Sequence, residues 1–175
     1  MILERNHEQF FTAVCHEWLR LLETDDAKQI ILEALRYRIA VGQIKVCAFV
    51  IMPNHIHLIW RVQNGYNLED VQRDFLKYTA KELKAMLKIK EGELGLEKLF
   101  VGLKDRTFQV WKRNSMNIDL VHEWFFKQKF DYLHNNPCQA HWNLVESPEK
   151  YKYSSARFYE DGADEFSLLT HYSEI

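Results

Sequence analysis

Glycine and proline are scarce in this chain of 175 residues, at six and three. Collagen-like and low-complexity character both need a far larger share of the two and are excluded. Cysteine is as rare, and Cys15, Cys47 and Cys138 are odd in number and widely spaced. That spacing argues against a disulfide frame or a zinc knuckle and for reduced thiols in a cytosolic protein. No apolar run approaches the roughly 20 residues that a membrane-crossing helix needs, so no membrane partner is expected. Met1-Ile2-Leu3-Glu4-Arg5-Asn6 lacks the basic-then-apolar pattern of a secretory signal. An excess of one charge is missing too, with 23 Lys and Arg against 25 Asp and Glu. What is present is globular: 47% hydrophobic, 14% aromatic and 27% charged residues, in a length that suits one domain over 1–175.

The charges are balanced in number but not in place. Acidic residues gather early (Glu17, Glu23, Asp25, Asp26) and in a 160–175 tail (Glu160, Asp161, Asp164, Glu165, Glu174). Basic residues gather in the middle: Arg73, Lys77, Lys81, Lys84, Lys88 and Lys90, then Lys104, Arg106, Lys112 and Arg113. Such a stretch reads either as an electrostatic footprint for a polyanion or as the wet side of a helix.

Residues 8–16 are rich in strand formers and predict a first strand. Thr24, Asp25 and Asp26 offer capping side chains for a helix that Gly42 stops. The apolar run 44–51 and the alternating run 55–62, joined by Pro53-Asn54, predict a hairpin within a sheet. Asn67 caps a long helix to about Lys88, its apolar side carrying Leu68, Val71, Phe75, Leu76, Leu83 and Leu87. Lys77, Lys81, Lys84 and Lys88 fall at i, i+4, i+7 and i+11 and form a single stripe on it. Residues 89–105 read as a loop or insertion of low regularity, and residues 107–111 as a fourth strand. Asp119 is a cap for another helix, with Val121, Trp124, Phe125, Gln128, Tyr132 and Leu133, which Pro137 ends. Tyr151, Tyr153, Phe158 and Tyr159 belong to an aromatic arm expected to pack back on the domain. The order implies an α+β, ferredoxin-like split βαββαβ fold, an antiparallel sheet with helices on one face plus a C-terminal helix and arm.

His55 and His57 stand at i and i+2 of a predicted strand, so both imidazoles point to one face while Ile56 and Leu58 point to the core. On an uncovered face they are two nitrogen ligands for one divalent ion. His-x-His alone is a weak sign, since exposed pairs also occur without a role. Tyr132 and Asn136 lie four apart on a predicted helix and share a face. They offer a nucleophile and a neutral oxygen ligand. A phenol with a reference pKa near 10 needs help to attack at neutral pH, and a metal that polarises a phosphodiester provides it. The plain alternative for Tyr132 is a half-buried aromatic at a helix–sheet contact.

The segment Val50-Ile51-Met52-Pro53-Asn54-His55-Ile56-His57-Leu58-Ile59 resembles the HUH motif of the single-tyrosine transposases in its "MPNHIHLI" form. Tyr132-Leu133-His134-Asn135-Asn136-Pro137 is similar to the "YIHNNP" of the REP-associated tyrosine transposases and their insertion-sequence relatives. Tyr151-Lys152-Tyr153-Ser154-Ser155-Ala156 resembles the "Y-x-Y-S-S-A" that follows in them. The three matches come in the right order, within a likeness running from about residue 8 to about residue 160.

The resemblance implies that His55, His57 and Asn136 bind Mg²⁺ or Mn²⁺ and that Tyr132 attacks single-stranded DNA beside a hairpin. It implies a 5′-phosphotyrosine link and a free 3′-hydroxyl, in a protein acting on the chromosome in the cytoplasm as a monomer or homodimer. Lys77, Lys81, Lys84, Lys88 and Arg113 then become candidate DNA-backbone contacts, and Trp111 or Trp142 a candidate stacking residue, with core packing the better reading for Trp111. The chain departs from the pattern at Cys138-Gln139-Ala140-His141-Trp142 and at Trp111-Lys112, where relatives have Val-x-Ala-Gly and Trp-Gln. These positions bear on DNA specificity rather than on the ligands or nucleophile. His134 and the remaining histidines read as ordinary polar or surface positions, and Cys47 as an apolar filler. Rival readings are a hairpin-binding DNA or RNA regulator without strand transfer, a phosphodiesterase in which water attacks, and a purely structural protein.

Overall fold

Strands β1 (Gln9–Val14) and β3 (His55–Val62) form the centre of a four-stranded antiparallel sheet. Strand β2 (Ile44–Ile51) flanks β3, and β6 (Met116–Asp119) flanks β1, giving the order β2-β3-β1-β6. The computed structural model describes residues 7–175, so the segment 1–6 considered for a signal lies outside the described residues.

The hairpin of β2 and β3 closes through Met52, whose N–H donates to the His55 carbonyl at 2.8 Å. Helix α1 (Asp25–Ala40) starts at Thr24, whose side chain accepts from the Ala27 N–H. Helix α2 (Leu68–Glu91) starts at Asn67, which accepts from the Asp70 N–H. Both caps are the residues expected from the sequence, because each satisfies an amide that the first turn leaves free.

The sheet is buried on both faces. Phe11, Ala13, Ile56, Leu58 and Trp60 face α1 and α2, with Trp60 stacked on Phe11 at 5.0 Å and edge-on to Phe75 at 5.9 Å. Phe10, Val50, Met52 and Ile59 face the other way, against Phe125, Phe126, Phe130 and Leu133 of α4 (Glu123–Asn135). The expected one-sided cover holds for α1 and α2, while α4 covers the second face. Alternation places residues of both sets on every central strand. In β2 the register shifts between Val46 and Ala48, which puts Cys47 and Ala48 together on the α4 side. Cys47 is the buried filler expected.

Three expectations need correction. The fourth strand of the sheet is β6, not residues 107–111. Part of that run is β5 (Arg106–Phe108), which pairs with β4 (Phe100–Leu103) in a separate hairpin. Residues 89–105 are accordingly not irregular: α2 runs on to Glu91 and a short α3 (Glu93–Glu97) precedes the hairpin. Asp119 ends β6 rather than capping α4, whose N-cap is His122. Met116-Asn117-Ile118-Asp119 does alternate apolar and polar residues, but over four positions only, which is why the longer β-branched and aromatic run before it reads as the better strand.

The aromatic arm packs back as expected, along the outer edge of β2. Ser154 bridges Val50, Leu169 bridges Val46, and the Tyr151 and Tyr159 hydroxyls donate to the Ile51 and Cys47 carbonyls. A terminal helix, α5 (Ala156–Asp161), is part of this cover. Among the described residues, no helix is long and apolar enough to cross a membrane.

Candidate active site

His55 and His57 project from β3 beneath α4, with ring centroids 4.7 Å apart. The expected uncovered face is in fact roofed, and the two residues keep only 7% and 4% of their surface. Each Nδ1 is engaged. That of His55 lies 2.7 Å from Asn54 Oδ1, and that of His57 lies 2.7 Å from Thr12 Oγ1. An amide oxygen only accepts, so His55 carries its proton on Nδ1 and leaves Nε2 as a lone-pair nitrogen. The same orientation in His57 accounts for its Nε2 being a buried atom without a partner.

Burial holds both imidazoles neutral. The His55 pKa is pushed down to about 4, by desolvation first, with the neighbouring Asn136 side chain acting the other way. His57 is lowered well below its ordinary value by desolvation, then by the charges of His55 and Lys129. Asn136 is 3% exposed at the end of α4, and its Oδ1 is a second buried atom without a partner. Two neutral nitrogens and an amide oxygen, two of the three atoms otherwise orphaned, suit a divalent cation. The donor set is uncharged: among the described residues, no three His, Cys, Asp or Glu side chains form a metal-holding group.

Tyr132 stands over this pair. Its ring is 5.4 Å from the His57 ring and 6.2 Å from Phe10, and the residue stays 44% exposed, open to an incoming substrate. Lys129, one turn earlier on α4, places its ammonium 5.3 Å over Phe10, 5.4 Å over Phe125 and 5.7 Å over Tyr132. Helix α4 is fastened by His134, whose Nε2 lies 2.7 Å from Ser155 Oγ. Ser155 is bound in turn to both backbone groups of Phe49 in β2. His134 therefore is not the surface residue expected. It is buried, with a pKa pushed down to about 4 by desolvation.

A solved structure of a REP-associated tyrosine transposase bound to a REP hairpin superposes on this chain with a TM-score of 0.66. The match is 18% identical and covers 97% of this chain and 91% of that one. This chain has the fold of a REP-associated tyrosine transposase. A candidate transposase from Deinococcus radiodurans R1 aligns less closely, with a TM-score of 0.47, 15% identity, and 77% and 97% of the two chains covered. No protein-family model and no curated protein matches the chain.

Within the transposase fold, His55, His57, Tyr132 and Asn136 are brought together, whereas the basic residues lie apart from them. Lys77 and Arg113 line one groove with Arg106 and Lys112, near the end of β1. Arg113 pairs with Asp105 at 2.9 Å, Lys88 with Glu93 at 3.4 Å, and Lys84 lies 6.0 Å over Phe108. Lys81 is exposed on the same helix. Trp111 is core, its indole N–H donating to Thr79 Oγ1 at 3.0 Å. Trp142 borders the site, with its ring 5.9 Å from His55 and the Arg20 guanidinium 5.6 Å over it.

Sequence reasoning missed Thr12, Asn54 and Lys129. Asn54 and Lys129 were within its reach, next to His55 and one helical turn before Tyr132. Thr12 was not, because only the β1–β3 register sets it opposite His57.

Proposed function

We propose that this protein is a metal-dependent DNA strand transferase that cleaves single-stranded DNA beside a hairpin and rejoins it through a 5′-phosphotyrosine on Tyr132. His55, His57 and Asn136 would hold Mg²⁺ or Mn²⁺. The observation that supports this best is the placing of an accessible tyrosine within 5.4 Å of a buried imidazole whose free nitrogen has no protein partner. A cation bound there supplies Lewis-acid polarisation of the phosphate.

The chain's own residues do the rest. Thr12 and Asn54 fix which nitrogen of each histidine faces the site. The Tyr132 oxygen attacks phosphorus; the Oη–P bond forms, the P–O3′ bond breaks, and the electron pair leaves on O3′, which takes a proton to become a hydroxyl. The phenol proton passes to solvent. Reversal by another 3′-hydroxyl rejoins the strand, because the ester keeps the phosphodiester energy. The ammonium of Lys129 offsets the charge that builds on the phosphate oxygens. Since the ligands are neutral, the DNA phosphate is the anion that completes the site, so cation and DNA reinforce each other's binding.

The groove of Lys77, Arg106, Lys112 and Arg113 is the proposed track for the DNA backbone, with Lys81, Lys84 and Lys88 extending it along α2. Nucleophile and histidines come from the same chain, which favours a monomer as the working unit. The protein would act on the chromosome, in the cytoplasm.

The test is a denaturing gel after incubation of single-stranded hairpin DNA from the gene's flanks with protein and Mn²⁺. A protein–DNA band that disappears in Tyr132→Phe and with EDTA is expected. Cleavage without a linked band that persists in Tyr132→Phe means that water attacks. Binding with neither product means a regulator.

A further inference from the structure

Trp18 is the residue that the proposed chemistry leaves unexplained. It is 56% exposed, and both it and Glu17 take left-handed backbone, at φ of 59° and 49°. Two successive non-glycine residues in that region cost about 1–3 kcal/mol each, and neither recovers the cost by burial. The surrounding structure nevertheless holds them there. The Trp18 N–H donates to Cys15, and the Trp18 carbonyl accepts from Asn54 Nδ2 at 3.3 Å. Asn54 is also the partner of His55. One amide side chain therefore positions the exposed tryptophan and the first metal-site histidine together.

Lys112 reaches Trp18 from another direction. Its N–H donates to Val14, and its ammonium lies 3.9 Å from the centroid of the indole ring. The indole is thus backed by a cation while the residue as a whole stays more than half exposed. Lys112 also lines the basic groove that contains Lys77, Arg106 and Arg113. A half-exposed flat aromatic, backed by a positive charge and tied through Lys112 to a basic groove and through Asn54 to the histidine site, has the features of a nucleobase platform.

We propose that Trp18, backed by Lys112, stacks an unpaired nucleobase of the DNA strand that runs from the groove into the site. This deepens the function proposed above and rests on it: the ligand is the single-stranded flank of the hairpin, rather than its stem.

The test compares two probes in fluorescence anisotropy at fixed salt, a DNA stem-loop from the gene's flank with and without its unpaired extension. Trp18→Ala is expected to lose about tenfold or more in affinity for the extended probe, as stacking is worth about 1–3 kcal/mol per base. Affinity for the bare stem-loop should stay within about twofold, and Trp18→Phe should retain most of the difference. Equal affinity of wild type and Trp18→Ala for the extended probe overturns the inference. So does an equal loss on both probes, which would make Trp18 a stem contact or a folding residue. The adduct assay on the wild type is separate: absence of adduct with the stacking difference intact sinks the strand-transfer chemistry and leaves the platform standing. Failure of the wild type to bind either probe overturns both.

Discussion

Thr12 Oγ1 lies 2.7 Å from His57 Nδ1, across the β1–β3 pair where the two residues are direct partners in register. Among the described residues, this hydroxyl is the hydrogen-bond partner that engages Nδ1 of the buried ring and leaves Nε2 free. Thr12→Val keeps the side-chain shape and removes the contact. Loss of such an outer partner costs about 10–100-fold in metal affinity. The Mn²⁺ concentration for half-maximal adduct formation should rise by that factor, with hairpin affinity preserved. An unchanged midpoint removes Thr12 from the site.

Lys129 puts a positive charge beside the Tyr132 ring, through its contacts with Phe10, Phe125 and Tyr132. Lys129→Met keeps the aliphatic stem and deletes the charge. Adduct formation should slow by about 100-fold, the scale for removing one group that stabilises charge in a transition state. Binding of the hairpin should change far less, and Lys129→Arg should recover part of the rate. Single-turnover gels give the number, and a rate within twofold of wild type makes Lys129 a packing residue.

Acid should weaken the fold. His55 and His134 are held at pKa about 4, and His57 well below its ordinary value, all chiefly by burial. Each takes up its proton in the unfolded chain near pH 6.5 and in the native protein only at lower pH. The unfolded state therefore binds more protons, so stability is complete above about pH 6.5 and declines as the pH falls towards about 4. Each histidine contributes up to about 1.4 kcal/mol per pH unit across that window. Urea melts of metal-free protein at several pH values should show the slope, and His134→Gln should reduce it. A flat profile would contradict burial as the cause.

Ser155 joins α4 to β2 through His134 and Phe49. Ser155→Ala leaves a buried imidazole nitrogen and a buried amide short of a partner, which costs about 1–3 kcal/mol. The midpoint of chemical denaturation should fall accordingly. Under conditions where the variant is folded, adduct formation should drop more than hairpin binding, because the helix carries the nucleophile and not the basic groove. Equal losses in both would mean that the bond serves only stability.

The central hairpin and both histidines were legible because strand periodicity is local: His55 and His57 alternate with Ile56 and Leu58 whatever the rest of the chain does. Tyr132 and Asn136 were legible by helical spacing. That α4 roofs the histidines was not, since it depends on Phe10, Val50 and Ile59 being apolar on the same side of three strands. That fact becomes visible only when the strands are in register. The sheet's fourth strand was hidden for a related reason. Met116–Asp119 is half-exposed at an edge and held by pairing to β1, while the more strand-like run before it is split between the separate β4–β5 hairpin and a single bridge from Trp111 to Cys15.

The order in which the parts of the site lie along the chain sets when activity can arise. Both histidines sit on β3, a strand that pairs with the two strands before it in the chain, β1 and β2. The phenol comes 75 positions after His57, and the serine that anchors its helix comes later still. A ribosome releases β3 well before Tyr132. A product truncated anywhere in between would carry His55 and His57 without Tyr132, so under the proposed function it could hold a cation and not cut DNA.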